Sequence, residues 1–183
     1  MIPLARTTAR VLLDTSPFIS FAQGGALFQL AGYLGNRAAI TLDVAEELRR
    51  NSTGRFPELK TPGFLAGRPA SRSRCRPICW PTPPICAAST RPPAPTIAAN
   101  RGDATALLAG RLADAVVIMD DDLGKRLCLT RGIPRLSTAQ LAAEMVVAEA
   151  LDDATGFAVF DAATPAGVGR KEFDEAVRRA GAS

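Results

Sequence analysis

Val11-Leu12-Leu13-Asp14-Thr15-Ser16 is an apolar run closing on a carboxylate, and Ala115-Val116-Val117-Ile118-Met119-Asp120-Asp121-Asp122 repeats the pattern further along the chain. A short continuous apolar run with polar residues at its end reads as a buried strand. An acid at that end stands at the carboxyl edge of a sheet, where open α/β proteins hold their ligands. Two further acidic stations lie on helix-like text: Glu46-Glu47 in Val44-Ala45-Glu46-Glu47-Leu48, and Asp103 in Gly102-Asp103-Ala104-Thr105-Ala106-Leu107. Carboxylates gathered in one place repel one another. A hard divalent cation relieves that repulsion, and Mg²⁺ adds waters and substrate phosphates to a few carboxylates. The expected chemistry is metal-dependent phosphodiester hydrolysis.

The text around these stations is regular. Strands are expected at residues 10–14, 38–42, 115–119 and 133–136. A helix is expected over 22–34, with Leu27, Leu30, Ala31 and Leu34 at helical spacing. Asp43 is the expected cap of the helix that carries Glu46 and Glu47 and ends near Arg50-Asn51. Helices are further expected over 102–112, over 123–131 up to Gly132, and over 139–149 behind a Ser137 or Thr138 cap. Strands alternating with helices imply a parallel sheet with helices on both faces. In the tail, Phe157-Ala158-Val159-Phe160 reads as a short edge strand, and 170–180 as an accessory helix with Phe173, Val177 and Ala180 inward. The expected organisation is one domain over 1–149 followed by an accessory C-terminal piece, 150–183.

Composition bounds the function. A chain of 183 residues is long enough to bury a single core. No apolar run approaches the roughly 20 residues that span a bilayer. The segment from Met1 to Arg10 lacks the long apolar core of a signal peptide, so a cytoplasmic protein without membrane contact is expected. The chain contains no histidine. Histidine triads, histidine general bases and the usual zinc sites are thereby excluded.

The net charge of +4 belongs to one segment. Between Leu59 and Gly102 there is no Asp or Glu, while Lys60, Arg68, Arg72, Arg74, Arg76, Arg91 and Arg101 are all basic. Without those seven the chain has 15 basic residues against 18 acidic ones. Nine of the 14 prolines, three of the four cysteines and the Trp fall within 61–98. Proline at that density forbids a helix interior or a central strand. Cys75, Cys79 and Cys86 match no standard zinc spacing. The segment reads either as an irregular insertion or as the product of two compensating frameshifts in a GC-rich gene.

Taken together, the motifs resemble the PIN domain, the nuclease fold of many bacterial toxin–antitoxin toxins. Leu13-Asp14-Thr15-Ser16-Pro17-Phe18-Ile19 is similar to that family's opening strand and first acid. Asp43-Val44-Ala45-Glu46-Glu47-Leu48 is similar to its second acidic motif, and Gly102-Asp103-Ala104-Thr105-Ala106-Leu107-Leu108-Ala109 to its third. Val117-Ile118-Met119-Asp120-Asp121-Asp122-Leu123-Gly124-Lys125-Arg126 resembles the fourth. Gly132-Ile133-Pro134-Arg135-Leu136-Ser137-Thr138 resembles the closing signature, with Ser137 where a glycine is usual. The likeness covers roughly residues 10–56 and 100–148. It implies a three-layer α/β/α sandwich with a four- or five-stranded parallel sheet. It also implies a Mg²⁺ or Mn²⁺ site, RNA as substrate, a small antitoxin partner and a homodimer.

On that resemblance the catalytic acids are Asp14, Glu47, Asp103 and Asp120. Asp14, Asp103 and Asp120 or Asp122 would hold the metal, and Glu47 would bind it through water or orient the attacking water. Thr15 and Ser16 offer hydroxyl contacts, Thr138 would hold a carboxylate from behind, and Lys125 and Arg126 are candidates for phosphate. One acid of Asp120-Asp121-Asp122 is expected to cap the helix that follows. Two other classes are weighed. A haloacid-dehalogenase phosphatase with Asp14 as nucleophile wants a second Asp two residues on, where Ser16 stands. A catalytically inactive relative that only binds RNA or a protein partner is the stronger alternative, because 61–98 departs from the family.

Overall fold

The computed structural model describes residues 4, 8–52, 115–166 and 168–182. Among them are four strands and seven α-helices: β1 Val11–Leu13, α1 Thr15–Gln23, α2 Leu27–Leu34, β2 Ala38–Ala39, α3 Leu42–Ser52, β3 Val116–Ile118, α4 Asp122–Arg131, β4 Arg135–Leu136, α5 Thr138–Val147, α6 Asp153–Ala163 and α7 Arg170–Gly181. The strands form one parallel sheet in the order β2-β1-β3-β4. Val11, Leu12 and Leu13 pair in register with Val116, Val117 and Ile118.

Successive strand residues point to opposite faces, and both faces are buried. Val11, Leu13, Ile118 and Leu136 join Phe18, Phe21, Leu30, Leu34, Val44, Leu48, Leu141 and Met145 in one core. Leu12, Val117 and Met119 face the other way, onto Cys128 of α4 and Ile133. The connection from β1 to β2 runs through α1 and α2 on the first face, whereas that from β3 to β4 runs through α4 on the second. Right-handed crossovers that move to opposite sides of the sheet need opposite faces. The order therefore reverses between β1 and β3, and the carboxyl ends of such strands are where open α/β sheets hold their ligands.

Several boundaries differ from the sequence expectation. The single helix expected over 22–34 is two helices. Gly25 takes the left-handed conformation at φ 69°, the Ala26 amide donates to Phe21 O at 2.8 Å and the Gly25 amide to Ala22 O at 3.1 Å. This pair of bonds closes α1 and redirects the chain into α2. The second strand ends at Ala39, not at residue 42. Buried Thr41 ends the extended stretch by accepting the Val44 amide at 3.3 Å, so Thr41 caps α3 where Asp43 was expected to, and Asp43 lies inside the first turn. The helix expected at 123–131 is present as α4, closed by left-handed Gly132. Ser137 caps α5 in a reciprocal pair with Gln140.

The tail holds two helices, and the expected edge strand at 157–160 is part of α6. Gly156, Val159 and Phe160 are buried at helical spacing, and Asp152 accepts the Thr155 amide at 2.8 Å to start the helix. Tight packing here depends on small residues. A Cβ at Gly24 would meet Val159 Cγ2 at 2.5 Å, and one at Gly156 would run into Val146 Cγ2. Phe173 of α7 is fully buried against Phe157 and Phe160, and Arg170 spans the two helices through Asp153 and Asp174. No helix among the described residues is long and apolar enough to cross a membrane.

Candidate active site

Two of the expected acids stand at the carboxyl ends of the two central strands. Asp14 follows β1 directly, is buried, and its amide donates to Ile118 O at 3.1 Å. It holds the N-cap position of α1 in extended conformation, yet its side chain makes no capping hydrogen bond. The ordinary structural use of an Asp at this place is thus not the one made of it. Asp120 follows β3 and is held by one residue: the Thr138 amide donates to Oδ1 at 2.8 Å and the Thr138 hydroxyl to Oδ2 at 2.5 Å. Thr138 itself is fully buried.

The third acid arrives from a helix. The hydroxyl of buried Thr15 donates to Glu47 Oε2 at 2.8 Å, bringing α3 to the residue beside Asp14. Glu46 is exposed, as expected of a solvated helix residue. Ser16 Oγ is enclosed and has no hydrogen-bond partner among the described residues. Asp14, Thr15, Ser16, Glu47, Asp120 and Thr138 thus share one edge of the sheet.

The remaining expected residues part from this group or lie beyond view. Asp121 caps α4, accepting the Gly124 amide at 2.6 Å. Asp122 is 80% exposed and pairs with Lys125 at 2.9 Å, and that hydrogen bond, followed by the Lys125 charge, holds its carboxyl below the usual range. Arg126 is exposed on the same helix. Asp103 lies outside the described residues, as do Cys75, Cys79 and Cys86. Cys128 faces Met119 Sδ at 3.9 Å on the apolar side of the sheet, where burial pushes its thiol up.

Among the described residues no three acids gather closely enough to hold a metal ion. The donors at the edge are carboxylate and hydroxyl oxygens, with no imidazole or thiolate among them. That chemistry fits a hard divalent ion whose shell is completed by water, phosphate or a further acid. One residue not singled out in the sequence also reaches this edge: Arg135 of β4 donates through Nη1 to Met119 O at 2.8 Å, beside Asp120. A charged residue inside the otherwise apolar Ile133-Pro134-Arg135-Leu136 stretch was the available signal. Comparisons with protein-family models, with curated proteins and with solved structures give no match to this chain.

Proposed function

We propose that the chain is a metal-dependent endoribonuclease of the PIN type, acting as the toxin of a toxin–antitoxin pair. The observation that carries the reading is the pairing of Asp14 and Asp120 at the strand ends where the sheet order reverses, with Glu47 tied to Thr15 beside them. The order of the acidic motifs along the chain supports it, and Asp103 is the further acid the motif order supplies. Mg²⁺ or Mn²⁺, when bound, would lower the pKa of a water to give a nucleophile at neutral pH and offset charge on the phosphate.

The residues divide the remaining work. Asp14 and Asp120 would offer oxygen ligands, and Thr138 fixes the Asp120 carboxylate by two hydrogen bonds. Glu47, steadied by Thr15, would accept a proton from the attacking water. The chain has no histidine to take that role. The test is cleavage of a mixed RNA pool by the full chain with Mg²⁺ or Mn²⁺, beside Asp14→Asn. Cleavage that needs the metal and is lost in the variant supports the reading. A folded, metal-supplied protein that leaves RNA intact refutes it and favours the inactive, binding alternative.

A further inference from the structure

We propose that Arg135 positions Asp120 by taking over a backbone carbonyl that the Thr138 amide would otherwise serve. β3 and β4 form a parallel ladder. Val117 pairs with Arg135, and its amide donates to Pro134 O at 2.9 Å. Two residues on, the Met119 amide donates to Leu136 O at 3.2 Å. In a parallel ladder the carbonyl of that same residue accepts from the amide two positions further along the partner strand. For Met119 O that amide belongs to Thr138.

The Thr138 amide goes elsewhere, to Asp120 Oδ1 at 2.8 Å. Met119 is fully buried, so its carbonyl, left without a donor, would carry the cost of an unpaired buried group. Arg135 Nη1 supplies the missing donor at 2.8 Å. The two exchanges are linked: the Asp120 carboxylate can hold the Thr138 amide because the guanidinium holds Met119 O. Removing the guanidinium sets Met119 O and Asp120 in competition for one N–H. Asp120 then keeps the hydroxyl bond alone and loses its fixed orientation. The geometry stands apart from any activity, but its consequence for metal binding and cleavage rests on the nuclease reading.

The experiment follows the Thr138 amide signal by ¹⁵N–¹H NMR in the full chain, in wild type, Arg135→Met, Arg135→Lys and, as reference, Asp120→Ala, which removes the carboxylate acceptor. The expected result is that Arg135→Met moves the Thr138 signal toward its Asp120→Ala position, while Arg135→Lys, which keeps a charged donor, leaves it near wild type. Mn²⁺ affinity, read by electron paramagnetic resonance without RNA, should fall about tenfold in Arg135→Met. A folded Arg135→Met chain whose Thr138 signal stays in place overturns the proposal. Arg135→Gln is read the same way if the Met variant does not fold. The two readings separate cleanly. A wild type that ignores Mn²⁺ and RNA while the Thr138 signal moves as expected removes the nuclease and leaves the positioning role. RNA cleavage with kcat and the Thr138 signal unmoved in Arg135→Met does the reverse.

Discussion

The Thr15 hydroxyl donates to Glu47 Oε2 across 2.8 Å, and this bond fastens α3 to the end of β1. Thr15 is buried and Glu47 half-buried, so water replaces the hydroxyl poorly on one side only. Thr15→Val keeps the volume and removes the donor. The expected cost is about 1 kcal/mol of folding stability, read from urea denaturation. In RNA cleavage, kcat should fall about tenfold with KM little changed, because Glu47 would act on the water and not on ground-state binding. An unchanged kcat would show that the Thr15 bond does not position Glu47 for the reaction.

Thr138 differs from Thr15 in being fully buried and in giving Asp120 two bonds, so each loss weighs more. Thr138→Val deletes the hydroxyl donor while keeping the amide. A destabilisation of about 2 kcal/mol is expected, together with Mn²⁺ binding weakened by roughly 10–100-fold. Thr138→Ser, which keeps the hydroxyl, should retain most of the affinity. Titration of all three proteins with Mn²⁺ followed by electron paramagnetic resonance checks the order, and a Ser variant that loses affinity while the Val variant keeps it would show that the methyl packing matters and not the bond.

Asp14 and Asp120 are legible in the sequence because a buried strand is a continuous apolar run, and the residue after it has only one edge of the sheet to occupy. The ends of α4 and α5 are legible for a local reason too: Gly132 and Ser137 act on their own neighbours. The break at Gly24-Gly25 carries an equally local signal, but the apolar spacing of Leu27, Leu30 and Leu34 extends readily backwards across it. Phe157-Ala158-Val159-Phe160 alternates imperfectly, and its burial by Phe173 decides for a helix only once α7 is in place. The bonds Thr15 to Glu47 and Arg135 to Met119 O depend on how separate elements cross, so no spacing announces them.

The end of α5 is a place where the chain departs from the residue its backbone favours. Glu149 has φ 56°, its amide donates to Val146 O at 3.0 Å, and the next amide, of Ala150, reaches Met145 O at 2.8 Å. This is the helix-closing arrangement that Gly25 and Gly132 serve elsewhere in the fold. Glu149→Gly should therefore stabilise the chain, by about 1 kcal/mol, despite the greater freedom of glycine in the unfolded state. Differential scanning calorimetry should show a higher midpoint. A lower one would mean that the exposed Glu149 side chain contributes more than the left-handed backbone costs.

Gly156 tests the packing of α6 on α5. Alanine is the better helix former by about 1 kcal/mol, but the added methyl runs into Val146 Cγ2 and lies 3.3 Å from Phe173 Cζ. Overpacking costs of about 1–3 kcal/mol outweigh the propensity gain. Gly156→Ala is expected to lower stability, and Val146→Ala introduced beside it should return part of the loss. The double-mutant cycle checks this. Additive effects would place the strain elsewhere.

Glu144 gives the fold a pH dependence of defined sign. Its Oε2 accepts the amide of fully buried Leu4 at 2.8 Å, while the Leu4 carbonyl accepts from Arg37 Nη1 at 2.6 Å. Burial pushes the Glu144 carboxyl above its ordinary value of 4.5, outweighing the Leu4 amide, which pulls it down. Burial likewise raises the Tyr33 hydroxyl, and the nearby Glu144 charge adds to the rise. Below 4.5 the carboxyl is protonated in both folded and unfolded chains, and Glu144 imposes no pH-linked cost. As pH rises from 4.5 through the higher folded value, the unfolded chain releases the proton first, so stability falls and stays lower above that window. Glu144→Gln keeps an acceptor for the Leu4 amide and removes the ionisation. Its thermal midpoint relative to wild type should therefore rise between about pH 4 and pH 7. A difference that is flat across that range would show that the carboxyl ionises in the folded chain without penalty.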